Sequence, residues 1–167
     1  MTAPLFTGVA VALVTLFDED GGLDAKATAE HAATLVELGM RAVVVAGSTG
    51  EAAALEPEER AALLVEVRRA VPSGIPVLVG TGAPSRRQAA ALTSTAVDLG
   101  ADGVLVLSPP GAADLRRYYQ AAATAAGDAA AQLELAASHQ GARRSFPDGL
   151  KALVADRFGT SRVARLG

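Results

Sequence analysis

The sequence lacks cysteine and tryptophan, and among its 167 residues only His31 and His139 are histidines. Without cysteine the chain can form no disulfide, no thiolate metal site and no cysteine nucleophile. Two histidines argue against a multi-histidine metal site. Aromatic residues make up only 4% of the chain, so its core must be aliphatic and rich in alanine. The sequence predicts neither a metal nor a cofactor.

Basic charge is also scarce. The formal net charge is −3, which gives no electrostatic case for binding nucleic acid or an anionic membrane. The apolar run at residues 8–17 is too short to span a bilayer and has no basic residue before it, so we expect a cytoplasmic chain. Among fifteen basic residues only Lys26 and Lys151 are lysines, which restricts the choice of an amine nucleophile.

Half of the residues are hydrophobic and a fifth are charged, a balance typical of one globular domain or a piece of one. Short Val-rich runs alternate with segments of helical periodicity as far as residue 127, and the first run predicts a strand buried on both faces. The predicted strands are 9–16, 42–46, 76–80 and 104–107, each followed by a helix, at 25–38, 58–70, 86–99 and 113–126.

Local signals mark the ends of these helices. Asp24 and Ser85 are candidate N-caps, Pro57 is placed for a helix start, and Gly39 and Gly100 stand where helices end. Four strand–helix units in succession predict a parallel sheet covered by helices. Beyond residue 127 the alternation stops: helices are predicted over 129–139 and 150–157, with a turn at 146–149.

Chemistry in such folds is found on the loops that follow the carboxyl ends of the strands. The loop after the second strand contains Gly47, Ser48, Thr49, Gly50 and Glu51 and is called the 47–51 loop below. Its adjacent hydroxyls and backbone N–H groups can face a carboxylate or a phosphate. The alternative is a tight turn in which Thr49 caps the next segment.

The loop after the third strand, residues 80–83, is similar to a phosphate loop. It lacks the third glycine of a dinucleotide site and the lysine of a P-loop, so a plain turn is the favoured interpretation. Tyr118 and Tyr119 are assigned to a helix surface. His31, His139 and Lys151 are interpreted as surface or half-buried residues. The adjacent arginine pairs are interpreted as solvated faces, at 68–69, 86–87, 116–117 and 143–144.

Four segments together resemble the dihydrodipicolinate synthase / N-acetylneuraminate lyase family, the pyruvate-dependent class I aldolases. They are residues 12–18, the 47–51 loop with Leu55 and residues 58–60 beyond it, residues 76–83 and residues 100–106. Their order and spacing match the first four units of that family's (β/α)8 TIM barrel. The resemblance therefore implies that residues 1–127 form the N-terminal half of such a barrel.

The resemblance also implies roles for the 47–51 loop. Gly47, Ser48 and Thr49 would bind the carboxylate of pyruvate or a related 2-oxo acid, and Ser48 would occupy the hydroxyl position of the family's proton relay. Two departures stand out. Leu16 replaces a proline, and residues 109–111 (Pro-Pro-Gly) replace a Pro-Tyr-Tyr whose tyrosine joins the relay.

After residue 128 the sequence no longer resembles the successive strand–helix units of the family. Residues 149–151 (Gly-Leu-Lys) imitate the context of the family's Schiff-base lysine, but no strand precedes them, and residues 128–167 resemble the family's C-terminal helices. We therefore expect an internal deletion near residues 126–129 that removes strands five to eight. On this interpretation Lys151 is a structural helix residue, and no residue of the chain is identified as the Schiff-base lysine.

Three functions stay open at this stage. One is an aldolase-type lyase or synthase that uses a lysine imine. The unaided activity of this chain is doubtful on that hypothesis, because the lysine and the relay tyrosine are missing. The second is a non-catalytic half-barrel that pairs edge to edge with another copy or acts as a binding module. The third is a small α/β domain that binds a phosphate ligand at residues 80–83. Whether the chain is an enzyme, and whether it is a homo-oligomer, stays open.

Overall fold

The computed structural model describes residues 5–107, 109, 114–127 and 133–134, and within them strands and helices alternate. The strands are β1 Ala10–Ala12, β2 Ala42–Val45, β3 Val77–Gly80, β4 Gly103–Leu105 and β5 Leu133–Glu134. The helices are α1 Ala25–Glu37, α2 Pro57–Ala70, α3 Arg86–Asp98 and α4 Leu115–Ala126, and a 3-10 turn lies at Ala52–Ala54.

The sheet is wholly parallel, with the strands in the order β1-β2-β3-β4-β5. Val43 is opposite Val77, and Val79 is opposite Val104, so the centres of β2, β3 and β4 are in register. Parallel neighbours in sequence order, each joined by a helix, are the arrangement of a (β/α)8 barrel cut open. The expected α/β class and partial barrel are confirmed.

The helix boundaries follow the signals in the sequence. The Asp24 carboxylate accepts a hydrogen bond from the Ala27 N–H at 2.9 Å, and the Ser85 hydroxyl accepts one from the Gln88 N–H at 3.3 Å. Pro57 is the first residue of α2. Each of these groups meets a requirement of a helix N-terminus, where backbone N–H groups lack partners. The caps predicted from sequence are confirmed.

The core lies between the sheet and the helices and is aliphatic. Alternate strand residues point to the same face, so one side of the central strands presents a continuous valine surface. Leu63, Leu64 and Val67 of α2 pack against it. The buried valines of this surface are Val43, Val45, Val77, Val79, Val104 and Val106.

The first strand differs from its prediction. β1 has only three residues, and beyond it Leu13 and Thr15 are buried whereas Val14 is 41% exposed and Leu16 37% exposed. The expectation of a strand buried on both faces is wrong. The reason is its position: among the described residues β1 pairs with β2 alone, so its second face and outer edge are not covered.

The segment after α4 also differs. Leu133 and Glu134 form β5, parallel to β4 with Leu133 opposite Val104, so the helix predicted over 129–139 is wrong at these two residues. The exposed edge of β4 offers backbone N–H and C=O groups, and pairing with them overrides the helical preference of an alanine-rich segment. His139, Lys151 and the helix predicted over 150–157 lie outside the described residues, and the division of the chain at residue 127 stays a prediction.

Two groups of side chains are more buried than predicted. Tyr118 and Tyr119 are 3% and 2% exposed, with ring centroids 5.5 Å apart in an edge-to-face pair, so their assignment to a helix surface is wrong.

Arg68 is half-buried and its guanidinium contacts the Asp102 carboxylate at 2.8 Å. Its predicted solvated face is therefore wrong as well. The exposed arginines of the other pairs are confirmed at Arg69, Arg86, Arg87, Arg116 and Arg117, and the pair at 143–144 lies outside the described residues.

In the described part of the chain, no helix is long and apolar enough to cross a membrane.

Candidate carboxylate-binding loop

The 47–51 loop follows β2 at the carboxyl edge of the sheet, where Ala46 leads into it. Ser48 and Thr49 are exposed, whereas Gly47 and Gly50 are buried. The two hydroxyl side chains are therefore presented to solvent by a backbone that is itself packed into the protein. The role of these side chains in facing a ligand stays a prediction.

The loop has an unusual backbone. Ala46 and Glu51, at its two ends, have φ values of 50° and 51°, a left-handed conformation that side chains other than glycine rarely adopt. The Glu51 N–H donates to the Ser48 carbonyl and the Ala52 N–H donates to the Gly47 carbonyl, each at 3.2 Å. Strained residues persist only where the surroundings fix them, and they cluster at binding sites.

Three amide groups at the tip of the loop have no acceptor among the described residues: those of Ser48, Thr49 and Gly50. Successive backbone N–H groups in such a turn can hold an anion. The residue before the 3-10 turn is Glu51, and no side chain caps it, so the alternative in which Thr49 caps this segment is wrong.

Thr15 anchors the loop from the neighbouring chain segment. Its hydroxyl donates to the Gly50 carbonyl at 2.7 Å, and the threonine is 6% exposed. Gly50 has no room for a side chain, since a Cβ there would lie 2.8 Å from the Leu13 carbonyl oxygen. Sequence reasoning assigned Thr15 no role, although a hydroxyl in an otherwise apolar run was a usable signal.

The loop after β3 supports the same region. A Cβ on Gly80 would lie 1.8 Å from the Ala46 carbonyl oxygen, so only glycine lets the two loops approach this closely. Thr81 is buried and its hydroxyl is bonded to that of Thr93 at 3.0 Å. The Tyr118 hydroxyl donates to the Ala83 carbonyl at 2.9 Å and accepts from the Ala83 N–H at 3.0 Å. These groups serve packing, and the interpretation of residues 80–83 as a plain turn stays a prediction.

Arg60 joins the two loops. This residue of α2 donates through one terminal nitrogen to the Ala52 carbonyl and through the other to the Gly80 and Gly82 carbonyls, both at 3.5 Å. Burial lowers the pKa of Arg60 from its ordinary value, but the guanidinium stays charged at neutral pH. Sequence reasoning assigned Arg60 no role. Its partners are backbone carbonyls, which every residue carries, so the amino-acid pattern does not indicate them.

The described residues do not bring a lysine to the loop. Lys26 lies on α1 with its side chain 85% exposed, and its nearest partner is Glu30 at 4.0 Å. His31 is partly exposed on the same helix. Within the described ranges no three carboxylate or histidine side chains converge on a possible metal position.

A parallel sheet whose strands lie in sequence order, each joined to the next by a helix, is the arrangement of βα-barrel proteins. The family model described as the dihydrodipicolinate synthetase family matches residues 5–133, and the chain belongs to this family. The match runs past the junction predicted near residues 126–129 and includes the first residue of β5.

Related sequences are lyases and aldolases. The chain is 40% identical over 121 residues to an uncharacterised DapA-like lyase of Halobacterium salinarum, covering 70% of this chain and 40% of the relative. It is 43% identical over 110 residues to a probable mitochondrial 4-hydroxy-2-oxoglutarate aldolase of Emericella nidulans, covering 64% of this chain and 36% of that protein.

Solved structures show the same fold. A prophage protein of the dihydrodipicolinic acid synthase family from E. coli, YagE in complex with pyruvate, superposes with a TM-score of 0.77 at 30% identity, over 94% of this chain and 53% of that one. A dihydrodipicolinate synthase of Bacillus anthracis gives a TM-score of 0.68 at 31% identity, over 74% of this chain and 44% of that one. The chain spans about two-fifths of the curated relatives it matches.

We predict that Gly80→Ala destabilises the protein far more than Gly74→Ala. The new methyl at Gly80 meets the Ala46 carbonyl, whereas nothing lies within 4 Å of a Cβ on Gly74. Overpacking of this kind costs about 3 kcal/mol in the free energy of unfolding. Urea denaturation followed by circular dichroism measures both variants, and equal losses would contradict the close approach of the two loops.

A second prediction concerns alkaline pH. Burial raises the pKa of Tyr118, while its hydrogen bond with Ala83 lowers it by less. Above the ordinary tyrosine pKa of about 10, the unfolded chain therefore loses this proton before the folded chain does. The contribution of the protonated Tyr118 hydroxyl to the free energy of unfolding is fully present below about pH 10. This contribution is lost as the pH rises through the pKa that Tyr118 has in the folded protein.

Replacing Tyr118 by Phe tests this effect. At neutral pH the variant loses roughly 1 kcal/mol with the hydroxyl's hydrogen bonds. Its free energy of unfolding should then fall less steeply than that of the wild type between about pH 9 and about pH 11. Urea midpoints across this range give both quantities, and parallel pH curves for the two proteins would refute the assignment.

Proposed function

We propose that the 47–51 loop binds the carboxylate of pyruvate or a related 2-oxo acid, and that this chain forms no lysine imine by itself. The observation that carries the proposal is the set of unpaired amides at Ser48, Thr49 and Gly50 beside two exposed hydroxyls. Membership of the dihydrodipicolinate synthetase family supports it, as does the pyruvate complex of the E. coli relative.

The loop is suited to a carboxylate because such a group has two acceptor oxygens and a negative charge. Hydrogen bonds to an ionised acceptor are shorter and stronger than neutral ones. The loop offers three amides and the Ser48 and Thr49 hydroxyls within three consecutive residues. We assign Ser48 the hydroxyl position of a proton relay, since its side chain is exposed at the strand-end face.

The second half of the proposal concerns the missing amine. An imine-forming lysine must be held unprotonated in an enclosed pocket. Lys26 is exposed on the outer helix α1 and does not meet this requirement. Lys151 lies outside the described residues, and we keep its assignment as a structural helix lysine. Carboxylate binding and imine formation are thus separable in this chain.

A titration with pyruvate tests the binding step. In the full ¹⁵N-labelled chain we expect the amide signals of Ser48, Thr49 and Gly50 to shift saturably with pyruvate. Pyruvamide, which has the same carbon skeleton without the negative charge, is the control and should leave them in place. Equal shifts with both compounds, or no shift with pyruvate, would refute the carboxylate site.

Borohydride reduction in the presence of pyruvate tests the imine step, because it traps an imine as a permanent adduct. We expect an unchanged intact mass, while a full-length relative treated in parallel gains the adduct. A carboxyethyl adduct, the reduced imine of pyruvate, mapped to Lys151 would overturn this part of the proposal and make the chain a shortened working aldolase.

A non-catalytic half-barrel module is the second candidate function. It is favoured by the apolar residues exposed at and beside β1, where Val9 is 62% exposed, together with Val14 and Leu16. An uncovered parallel edge with such residues can pair with another copy. Sedimentation velocity should then show concentration-dependent dimers, and Val14→Lys should weaken them. A monodisperse, cooperatively melting monomer would contradict this candidate.

A further inference from the structure

Arg60 lies in the first turn of α2, where it faces back toward the chain that connects β2 to this helix. Its contact with the Ala52 carbonyl spans only eight residues, and the Ala52 N–H in turn holds the Gly47 carbonyl. One residue, Ala52, therefore connects Arg60 to the first residue of the 47–51 loop through its two adjoining peptide groups. The other terminal nitrogen reaches Gly80, the last residue of β3, and Gly82 in the loop that follows.

The partners of Arg60 are all backbone carbonyls. In the described part of the chain no carboxylate lies within ion-pair distance of Arg60, although Glu58 and Glu59 lie in the same first turn of α2. A partly buried guanidinium without a countercharge is costly unless its N–H groups find acceptors. The two terminal nitrogens find acceptors beside both loops, whereas Nε is buried without a hydrogen-bond partner among the described residues.

We infer that Arg60 is a positioning residue that fixes the 47–51 loop in its anion-binding conformation by tying it to the loop after β3. The inference rests on the proposed function for its consequence in binding, but its structural part stands separately. The planar guanidinium reaches both loops at once, which the single ammonium of a lysine cannot do. The left-handed conformations of Ala46 and Glu51 need such fixation.

Amide hydrogen exchange on the full chain tests the structural part. In Arg60→Met, the Glu51 and Ala52 amides that close the loop should exchange about tenfold faster, while the Val43 amide in β2 keeps its rate. Arg69→Met on the same helix is the matched control, since in the described part of the chain the ion-pair partner of Arg69 is Glu66 on its own helix. Unchanged rates at Glu51 and Ala52, or equal acceleration at Val43, would overturn the inference.

Pyruvate titration of the same variants tests the consequence for binding. Arg60→Met and Arg60→Lys should both raise the dissociation constant about threefold or more, and Arg69→Met should leave it unchanged. If the wild type binds pyruvate and the Arg60 variants bind equally well, the inference fails and the proposed function stands. If the wild type does not bind, the proposed function fails, and the exchange rates alone decide the role of Arg60.

Discussion

The contact between Ala46 and Gly80 is the constraint on which the candidate site depends. Parallel strands end at the same edge of a sheet, and the distance between β2 and β3 there leaves no space for a side chain on Gly80. Ala46 can therefore turn sharply into the 47–51 loop instead of extending β2. Every group that we assign to carboxylate binding follows this turn within four residues.

Around that contact the loop is fixed from three directions. Thr15 holds it from the segment after β1, Gly80 from β3, and Arg60 from α2. None of these three residues presents a group to the ligand. Thr15 engages the Gly50 carbonyl in the protein interior, whereas Gly80 and Arg60 contact Ala46 and Ala52, the residues on either side of the loop. The amides at the tip of the loop are left without an acceptor among the described residues. Preorganised donors of this kind cost no rearrangement when an anion binds.

How far the sequence predicted this arrangement depends on the range of the interactions. Asp24, Pro57 and Ser85 act within one helical turn, and their roles were readable from local pattern. The (β/α) alternation and the position of the 47–51 loop were predictable for the same reason.

Arg60 and Tyr118 act across 20 to 35 residues, on backbone groups that any sequence carries, so pattern alone assigned them no site role. β5 was missed because an alanine-rich segment favours a helix until an unpaired strand edge is beside it.

The same distinction between local and distant contacts bears on function. The carboxylate binding that we propose uses the loop and its three anchors, all of which lie within the described residues and within the family match at residues 5–133. Imine chemistry needs an enclosed amine, which the described residues do not bring to the loop. The two steps of the proposal therefore depend on different parts of the fold. The 47–51 loop is a local product of β1, β2, β3 and α2, whereas an enclosed amine needs strands that close around it.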